Sequence, residues 1–440
     1  MLTDMLRLHF QWERPEGVQG PELAATWASL RIMVGDRCVS RVFDRRSRSV
    51  REELYVPLYP LAEWIVWNWW SLLHESEVRS RGGRESFLSR HGLRFVGDGI
   101  GMPDLEFLPL GEYVEVKWGP WGHPFQDIEF LGQGTQQVKR EELAQVLFGF
   151  VESVCLRLEQ EGVTKSWLQR GWELLCKSLD DPEEESFCRA AALLGRDPYA
   201  LESAEADVLI RTAGSLPESI LDDFLLLSDW QTIADQAALL RQDLDWVQHR
   251  PEKWDRLQRV RGSFPAIPLR GAPWQQGYDF ALQLRRELGV RENVSPSSYE
   301  GLAGWLDLPV EVLKSSVHDS AYRAPGMEAL VAENATGSPA FALRPKGRPE
   351  SRIFSFCRGL CEYLLSPGTS SLVTGANTER QKRNRAFAAQ FLAPADIIKK
   401  RLVTREVSRE DIDDLACDMG VSPFVVEHQI VNHGLAEIGE

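Results

Sequence analysis

The sequence has few cysteines, and they are not arranged in pairs. Its seven cysteines are scattered over 440 residues, and no two of them form a CxxC motif. An odd and dispersed set of thiols argues against a disulfide framework. We therefore expect a protein of a reducing, cytoplasmic environment whose fold depends on its apolar core.

Long apolar runs are also absent. The only membrane-like stretch, 56–73, contains Pro57, Pro60, Glu63 and Asn68 within a length barely sufficient to cross a bilayer. We interpret this stretch as a buried helix. The first 17 residues carry polar or charged side chains every few positions, so they lack the apolar core of a secretory signal. We expect no contact with a membrane.

Positive charge is in deficit. The chain has 50 Lys and Arg against 65 Asp and Glu, which gives a formal net charge of −15. Since an acidic surface repels phosphates, any contact with nucleic acid must come from a local basic patch. The hydrophobic fraction of 43% and the charged fraction of 26% are typical of a globular protein.

The first part of the chain has the pattern of an α+β domain. Alternating apolar residues over 3–57 and again over 93–132 predict short antiparallel strands separated by turn residues. Helical periodicity occupies 60–75 between the two strand groups, and 141–158 after them. We therefore predict antiparallel strands and helices in the N-terminal region.

The pattern then becomes helical throughout. Every periodic segment from about 165 to 260 has the spacing of an amphipathic helix, until the proline-rich stretch 262–274 ends the pattern. The length is consistent with about three domains. The predicted fold class is α+β, with an N-terminal α+β domain over 1–160, a helical domain over 161–262 and a third domain over 275–440.

Several short patterns follow one another in the third domain. GYDFALQLRRELGV and SYEGLAGWLDL read as helices, and SPAFALRPKGRPESRIF reads as a strand pair leading into the helix SFCRGLCEYLL. RAFAAQFLAPADIIKK follows, and REDIDDLACDMGVSPFVVEHQIVNHGL closes the chain. In this order they resemble the ImmA/IrrE group of zinc peptidases. The resemblance implies that fold, a terminal helix-turn-helix-like pair, and a role in prokaryotic stress, prophage or anti-phage circuits beside a DNA-binding partner.

The same resemblance implies a degenerate peptidase site. In that family one helix carries HExxH, in which two histidines hold zinc and the glutamate acts as general base. The aligned residues here are Arg358, Gly359 and Glu362. Arginine cannot become a metal ligand and glycine has no side chain to act as a base. The third ligand falls near Gln381 or Arg383, neither of which is an acid, so we expect no metal and no peptidase activity.

Two cysteines on the same helix offer a different metal-binding hypothesis. Cys357 and Cys361 stand at positions i and i+4, so both thiols lie on one helix face. They also occupy small-residue positions that pack inward in the family. Because small buried cysteines are common in cores, we favour a packing role for them.

A basic strip lies near the end of the third domain. It is followed by a helix-turn-helix pattern in which Ala416 is the small residue, Gly420 the turn glycine and Val421 the apolar plug. One interpretation is an edge that contacts nucleic acid, and the other is a solvated or partner-facing surface. We expect a protein partner and leave nucleic acid open. The strip consists of Lys382, Arg383, Arg385, Lys399, Lys400 and Arg401.

The N-terminal domain contains a short pattern typical of metal-dependent nucleases. Pro-Asp at Asp104, followed by Glu115 and Lys117, fits the PD-(D/E)xK motif, in which the two acids bind Mg²⁺ and the lysine positions water. Glu63 or Glu75 could supply a further acid. The pattern is short, and a plain β-hairpin produces it by chance. The strand that closes this fold after the helix is also missing.

Two hypotheses for function follow. The first is a non-catalytic ImmA/IrrE-like protein that acts by binding, as a sensing or interaction subunit, with no cofactor. The alternative is a Mg²⁺-dependent nuclease whose C-terminal domain senses or docks. The sequence contains no GxSxG motif, no P-loop and no Rossmann glycine pattern, so these three kinds of enzyme site are not indicated.

Overall fold

The chain divides into two compact units, each with its own core. They are Met1–Ile210 and Arg211–Glu440, so the predicted helical domain, 161–262, is shared between them. Pro265 and Pro268 of the predicted boundary lie outside the described residues. The computed structural model describes residues 6–77, 83–97, 99–122, 127–264, 271–290, 295–296, 298–345, 347–402 and 406–439.

The described residues of the N-terminal unit form three small antiparallel sheets. Strand β2 pairs with β1 on one side and with β3 and β6 on the other, a second sheet has the order β5-β4-β10-β9, and a third has the order β11-β8-β7. The strands are β1 (Leu6–Trp12), β2 (Trp27–Val34), β3 (Arg37–Cys38), β4 (Val42–Asp44), β5 (Ser49–Arg51), β6 (Leu54–Pro57), β7 (Asp104–Pro109), β8 (Tyr113–Gly119), β9 (Trp121–Gly122), β10 (Ile128–Phe130) and β11 (Gly134–Lys139).

Helices pack on these sheets and complete the N-terminal core. Residues of β2 alternate strictly between buried and half-buried positions, and the buried ones join a cluster that includes α5 and α6. This alternation is what a strand with one covered face requires. The helices are α1 (Pro21–Ala25), α2 (Tyr59–Trp67), α3 (Trp69–His74), α4 (Gly83–His91), α5 (Arg140–Gln160), α6 (Trp167–Asp180), α7 (Pro182–Leu193) and α8 (Ser203–Ala213), which spans the boundary between the units.

The C-terminal unit is built around one mixed sheet and one buried helix. The sheet has the order β12-β14-β13-β15, with β12 parallel to β14 and the other pairs antiparallel, and β16 pairs with β17 separately. The strands are β12 (Val317–Asp319), β13 (Met327–Glu333), β14 (Pro339–Leu343), β15 (Ser371–Thr374), β16 (Glu406–Val407) and β17 (Glu437–Ile438).

Helix α15 is the centre of this unit. All residues from Phe356 to Leu365 are buried, so the helix is enclosed on every side rather than on one stripe. It packs on three strands of the sheet and on α16. The helices are α9 (Glu218–Leu227), α10 (Ile233–Gln248), α11 (Asp255–Arg261), α12 (Pro273–Glu287), α13 (Tyr299–Leu306), α14 (Val310–Ser315), α15 (Pro349–Leu365), α16 (Glu379–Leu392), α17 (Ala395–Arg401), α18 (Arg409–Met419) and α19 (Pro423–His433).

The predicted α+β class and the terminal helix pair are confirmed. Helices α18 and α19 are joined at Gly420, whose φ of 63° is the left-handed conformation that glycine adopts without strain. Ala416 and Val421 are buried beside the turn, at the positions that the pattern predicts. None of the helices in the described part of the chain combines the length and apolar character that crossing a bilayer requires.

Some predicted elements were wrong in detail. Residues 93–99 were predicted as a strand, but Leu93–Phe95 forms a 3₁₀ turn. Leu93 and Val96 are both buried, a spacing of three that suits a helical turn rather than a strand. The predicted helix 60–75 is two helices, because the backbone leaves helical geometry at Asn68. Among the described residues of SPAFALRPKGRPESRIF, β14 is the one strand, and its partner β13 comes earlier in the chain.

Candidate functional site

Arg358 lies at the centre of a buried polar network in the C-terminal unit. Its side chain is 1% exposed, and burial lowers the pKa of the guanidinium, although the neighbouring carboxylate opposes that shift. All of its polar groups point to specific partners. The guanidinium donates to Asn384 Oδ1 at 2.7 Å, to Gln381 Oε1 and the carbonyl of Thr374 at 2.8 Å each, and pairs with Glu328 Oε2 at 2.6 Å.

Glu362, one turn further along α15, belongs to the same network. Asn384 donates to its Oε1 at 2.8 Å, and Arg380 donates to its Oε2 at 3.1 Å. Arg380 also pairs with Asp223 of α9. Burial raises the pKa of the Glu362 carboxyl, while the surrounding arginines and the Asn384 amide lower it. These donors are what allow a carboxyl group to lie in the core.

Gln381 joins the two halves of the network. Its Oε1 accepts from Arg358, from the backbone N–H of Thr374 at 3.0 Å and from Asn384 at 3.2 Å. Its Nε2 donates to the carbonyl of Leu372 at 2.9 Å. The amide therefore fixes α16 against β15 and α15 through side-chain hydrogen bonds.

The structure brings together three of the positions that the resemblance assigns to metal ligands. Arg358, Glu362 and Gln381 converge in this network, and Arg358 supplies a positive charge among their oxygens. Gly359 does not face them, because a Cβ there would lie 3.0 Å from the ring of Phe341. The described residues hold no group of three His, Cys, Asp or Glu able to bind a metal ion. The arrangement offers hydrogen bonds but no open ligand position.

The two cysteines of α15 are packing residues. Cys357 and Cys361 are fully buried in the apolar cluster of the C-terminal unit. Burial raises the pKa of both thiols well above the ordinary range, so they stay protonated. A thiol becomes a metal ligand or nucleophile as the thiolate, so this environment favours the packing interpretation.

A large open cleft lies over the Arg358 network. Its volume is about 780 Å³. It is lined by residues of α12, α15, α16 and α19, and by residues near the ends of β13 and β14. Arg358 and Glu328 form part of its lining. The other lining residues that carry charge or an aromatic ring are Trp274, Tyr278, Arg344, Glu350, Arg352, Phe354, Lys382, Arg385, Phe424 and His428.

The cations of this cleft differ in how they are held. Arg352 pairs with Asp319 at 2.7 Å. Arg385 donates to the carbonyl of Ala376 at 2.9 Å, and burial lowers its pKa to about 10. Within the part of the chain that the structure describes, the side chains of Arg344 and Lys382 make no hydrogen bond or ion pair. Two cations are therefore held against the protein and two are available to a ligand.

The members of the predicted basic strip differ in their surroundings. Lys382 and Arg385 line the cleft, whereas Arg383 is half-buried and its Nε has no hydrogen-bond partner among the described residues. The strip's remaining members, Lys399, Lys400 and Arg401, lie in the last turn of α17. Arg401 pairs with Asp418 of α18 at 2.9 Å.

The helix pair also differs from a DNA-reading one. Helix α19, which stands second in the pair, contains no lysine or arginine. Its Phe424 and His428 line the cleft instead, with their rings 4.0 Å apart. Helix α18 begins with Arg409, Glu410 and Asp411, so its first turn carries more negative than positive charge. Helix α19, but not α18, therefore forms part of the wall of the cleft.

The nuclease-like residues lie on one hairpin but do not converge. Asp104 pairs in register with Gly119, and Glu115 pairs with Leu108. The two pairs are offset by four residues along the strands, about 13 Å at the usual rise per residue. The residue opposite Lys117 is Glu106, not Asp104. This register gives no support to a shared metal site.

Asp104 and the nearby Glu106 are each paired with an arginine. Arg84 pairs with Glu106 at 2.9 Å, and Arg94 with Asp104 at 3.5 Å. The two upstream acids of the nuclease hypothesis, Glu63 and Glu75, also have partners. Glu75 is buried against Arg90 at 2.5 Å, and Glu63 accepts a hydrogen bond from Tyr59 at 3.0 Å.

Sequence reasoning missed several residues of the cleft and the network. Glu328 and Asp223 lie far along the chain from α15 and belong to no motif, so only the tertiary fold places them beside Arg358 and Arg380. Trp274 and Phe424 gave a weak signal, because each is an aromatic residue near the start of an amphipathic helix. A pattern of core-facing positions does not distinguish such residues from packing ones.

No known protein family, curated protein or solved structure matches this chain. The ImmA/IrrE-like resemblance of 277–440 therefore stays a prediction. What bears on function is the geometry of the cleft and of the network at its base.

Proposed function

We propose that this chain is a non-catalytic ImmA/IrrE-like protein that acts by binding, as a sensing or interaction subunit in a prokaryotic stress, prophage or anti-phage circuit. The observation that carries the proposal is the Arg358 guanidinium, which stands at one predicted ligand position and donates to Gln381 at another. Glu328 and Asn384 hold the same guanidinium. Arginine keeps its proton in proteins and has no lone pair for a metal. The positive charge that zinc would supply is thus built into the chain.

The general base is missing for a packing reason. A side chain at Gly359 would press on the ring of Phe341, which belongs to the buried face of β14. A carboxylate that activates water must reach the reacting groups within hydrogen-bonding distance. Position 359 offers neither the atom nor the space, which supports binding without peptide hydrolysis.

The cleft over the network is the surface through which we propose that the protein acts. Concave sites with several converging polar groups are the usual binding sites of proteins. Exposed aromatic and cationic side chains line it, and such residues are enriched where proteins bind ligands or partners. A protein partner and a cytoplasmic location belong to this proposal.

Metal content and hydrolysis test the absence of catalysis. Protein purified without chelator should contain substoichiometric zinc and leave an unfolded polypeptide substrate intact. The matched control is Cys357→Ser, which should have the same metal content as wild type. One zinc per chain that disappears in Cys357→Ser or in Glu362→Gln would contradict the proposal.

Phage challenge of a bacterial host tests the circuit. Phe424→Asp places a charge in the cleft, and should abolish any protection that the wild-type protein gives when expressed with its natural partners. Val431→Asp alters an equally exposed apolar residue of the same helix that does not line the cleft, and should keep protection. Protection that Phe424→Asp leaves intact would count against the cleft.

Among the residues that the structure describes, no observation favours the nuclease alternative. Its two acids are about 13 Å apart by register, and arginines pair with Asp104 and with the adjacent Glu106. Metal-dependent phosphodiester hydrolysis needs the acids to share a cation.

A further inference from the structure

We propose that the cleft over Arg358 binds a nucleotide, with its phosphates on Arg344 and Lys382 and its base on the exposed rings of Trp274 and Phe424. The inference rests on the proposed binding function and names the class of ligand. Four observations carry it: the charge of the cleft, its rings, its size and the strands that line it.

The charge of the cleft is positive in a molecule that is otherwise acidic. Five arginine and lysine side chains line it, against two carboxylates, and Glu328 is already paired with Arg358. Arg344 and Lys382 make no ion pair within the described residues, so an incoming anion would not have to displace a partner. Guanidinium and ammonium groups together are the usual ligands of phosphate oxygens.

The rings are exposed at the same place. Among the described residues of the C-terminal unit, the large aromatic side chains left exposed are Trp274 at 50% and Phe424 at 64%, and both line this cleft. Leaving such apolar area in water is unfavourable unless a ligand covers it. Nucleobases stack on aromatic side chains, and the interaction tolerates any base because each has a π face.

The size and the net charge favour a small ligand over a long polyanion. A volume of about 780 Å³ lies within the range of roughly 300–1,000 Å³ that small-molecule sites occupy. A net charge of −15 repels a long strand, whereas a single nucleotide meets only the local cations.

The strands that line the cleft argue against an extended peptide. Lining residues from the sheet come from the inner strands, Glu328 of β13 and Leu343 of β14, and both strands already have partners on each side. The edge strands β12 and β15 contribute no lining residue within the described chain. A peptide therefore has no free strand edge to pair with, which is the usual way that extended peptides bind a sheet.

Calorimetric titration of the full-length protein tests the proposal. ATP and GTP should each bind one site per chain, and adenosine or tripolyphosphate alone should bind at least about tenfold more weakly. Arg344→Ala and Lys382→Ala should each weaken the binding of ATP by about tenfold. Trp274→Ala and Phe424→Ala should weaken the binding of ATP but not the binding of tripolyphosphate. Arg286→Ala, an exposed arginine of α12 outside the cleft, should bind like wild type.

Competition distinguishes a free nucleotide from the phosphorylated end of a nucleic-acid strand as the ligand of the cleft. A 5′-phosphorylated single-stranded oligonucleotide that displaces ATP, when its unphosphorylated form does not, identifies a strand end as the source. ATP binding that neither form displaces identifies a free nucleotide. Both outcomes support the proposed phosphate and base contacts.

Three results would overturn the inference. They are no ATP or GTP binding by folded protein at about 1 mM, ATP binding unchanged in both Arg344→Ala and Lys382→Ala, or a glutamate hexapeptide that binds the cleft while nucleotides do not. Metal content and hydrolysis are measured separately, so the non-catalytic function would survive these results.

Discussion

Arg358 is a single residue on which several buried groups depend. Four partners surround its guanidinium, and one of them, Glu328, is a carboxylate paired at 2.6 Å. Burying charges is costly, and removing one partner leaves the others without compensation. Its role in this fold is therefore structural.

Arg358→Met tests that dependence. The methionine keeps apolar volume but loses every hydrogen bond, so the free energy of unfolding should fall by about 3–5 kcal/mol. Urea unfolding measures the change. The control, Arg286→Met, removes an exposed arginine and should alter stability by less than about 0.5 kcal/mol. A variant at 358 as stable as wild type would show that the network contributes little.

The cysteines of α15 give a prediction about reactivity. Cys357 and Cys361 are fully buried with raised pKa values, whereas Cys417 is exposed. Since the thiolate is the reactive form, iodoacetamide should label Cys417 in folded protein and should label the other two only after unfolding. Raising the pH from about 7 to about 9, past the pKa of a free thiol, should not change this order.

Chelation separates burial from metal protection. If burial alone protects the two thiols, EDTA should leave their labelling rate unchanged, as followed by mass spectrometry of peptides. If EDTA accelerates the labelling of Cys357 or Cys361, the result would instead support a metal site at these cysteines.

For single residues, the sequence indicated what each side chain can do chemically, but not which other residues it contacts. It showed that Arg358 and Gly359 cannot serve as ligand and base, because that depends only on the side-chain type. It could not show that Glu328, thirty positions earlier, pairs with Arg358, since β13 and α15 meet only in the tertiary fold.

Among the helices, α12 and α16 approach very closely at one glycine. A Cβ on Gly277 would collide with the backbone carbonyl of Arg383 and would lie 2.9 Å from the Cβ of Ala386. The clash involves backbone, which cannot turn aside as a side chain can. Glycine at this position therefore sets the distance between two walls of the cleft.

Gly277→Ala should destabilise the protein by about 1–3 kcal/mol through this overpacking, although alanine is the better helix former. Gly304 provides the matched control, because it lies within α13 with nothing within 4 Å of its would-be Cβ. Gly304→Ala should instead stabilise by roughly 0.5–1 kcal/mol. Urea unfolding compares the two, and a stabilised Gly277→Ala would contradict the close approach.

Most elements could be predicted from periodicity, and the exceptions have local causes. The alternation in β2 and the spacing of buried residues in α5 follow from a single covered face. Residues 93–99 were predicted as a strand although Leu93 and Val96, both buried, have the spacing of a helical turn. Helix α15 is buried all round, so its pattern gave no face from which to infer the network.

At the scale of the whole molecule, the chain has a net charge of −15, yet the lining of the cleft holds five cations against two carboxylates. The sequence predicted the charge and the basic strip, but not that folding divides the strip. Lys382 and Arg385 enter the cleft, and Lys399 and Lys400 lie at the end of α17. Residues that are close in sequence thus reach different places.

This division leads to a prediction about duplex DNA. A long polyanion needs several cations along one surface, and helix α19 supplies none. Together with the net charge of −15, this predicts no detectable duplex binding even at the low-salt end of a range from about 50 to 200 mM. Fluorescence anisotropy of a labelled duplex provides the measurement.

A continuous basic interface would behave differently. Six to ten phosphate contacts would weaken binding on the order of a thousandfold or more across that salt range, because each contact releases counterions. The double variant Lys399→Glu, Lys400→Glu would then flatten the salt dependence. Duplex binding with that steep, charge-sensitive slope would establish the strip as a nucleic-acid interface. Nucleotide binding without duplex binding would leave the cleft as the place where phosphate is recognised.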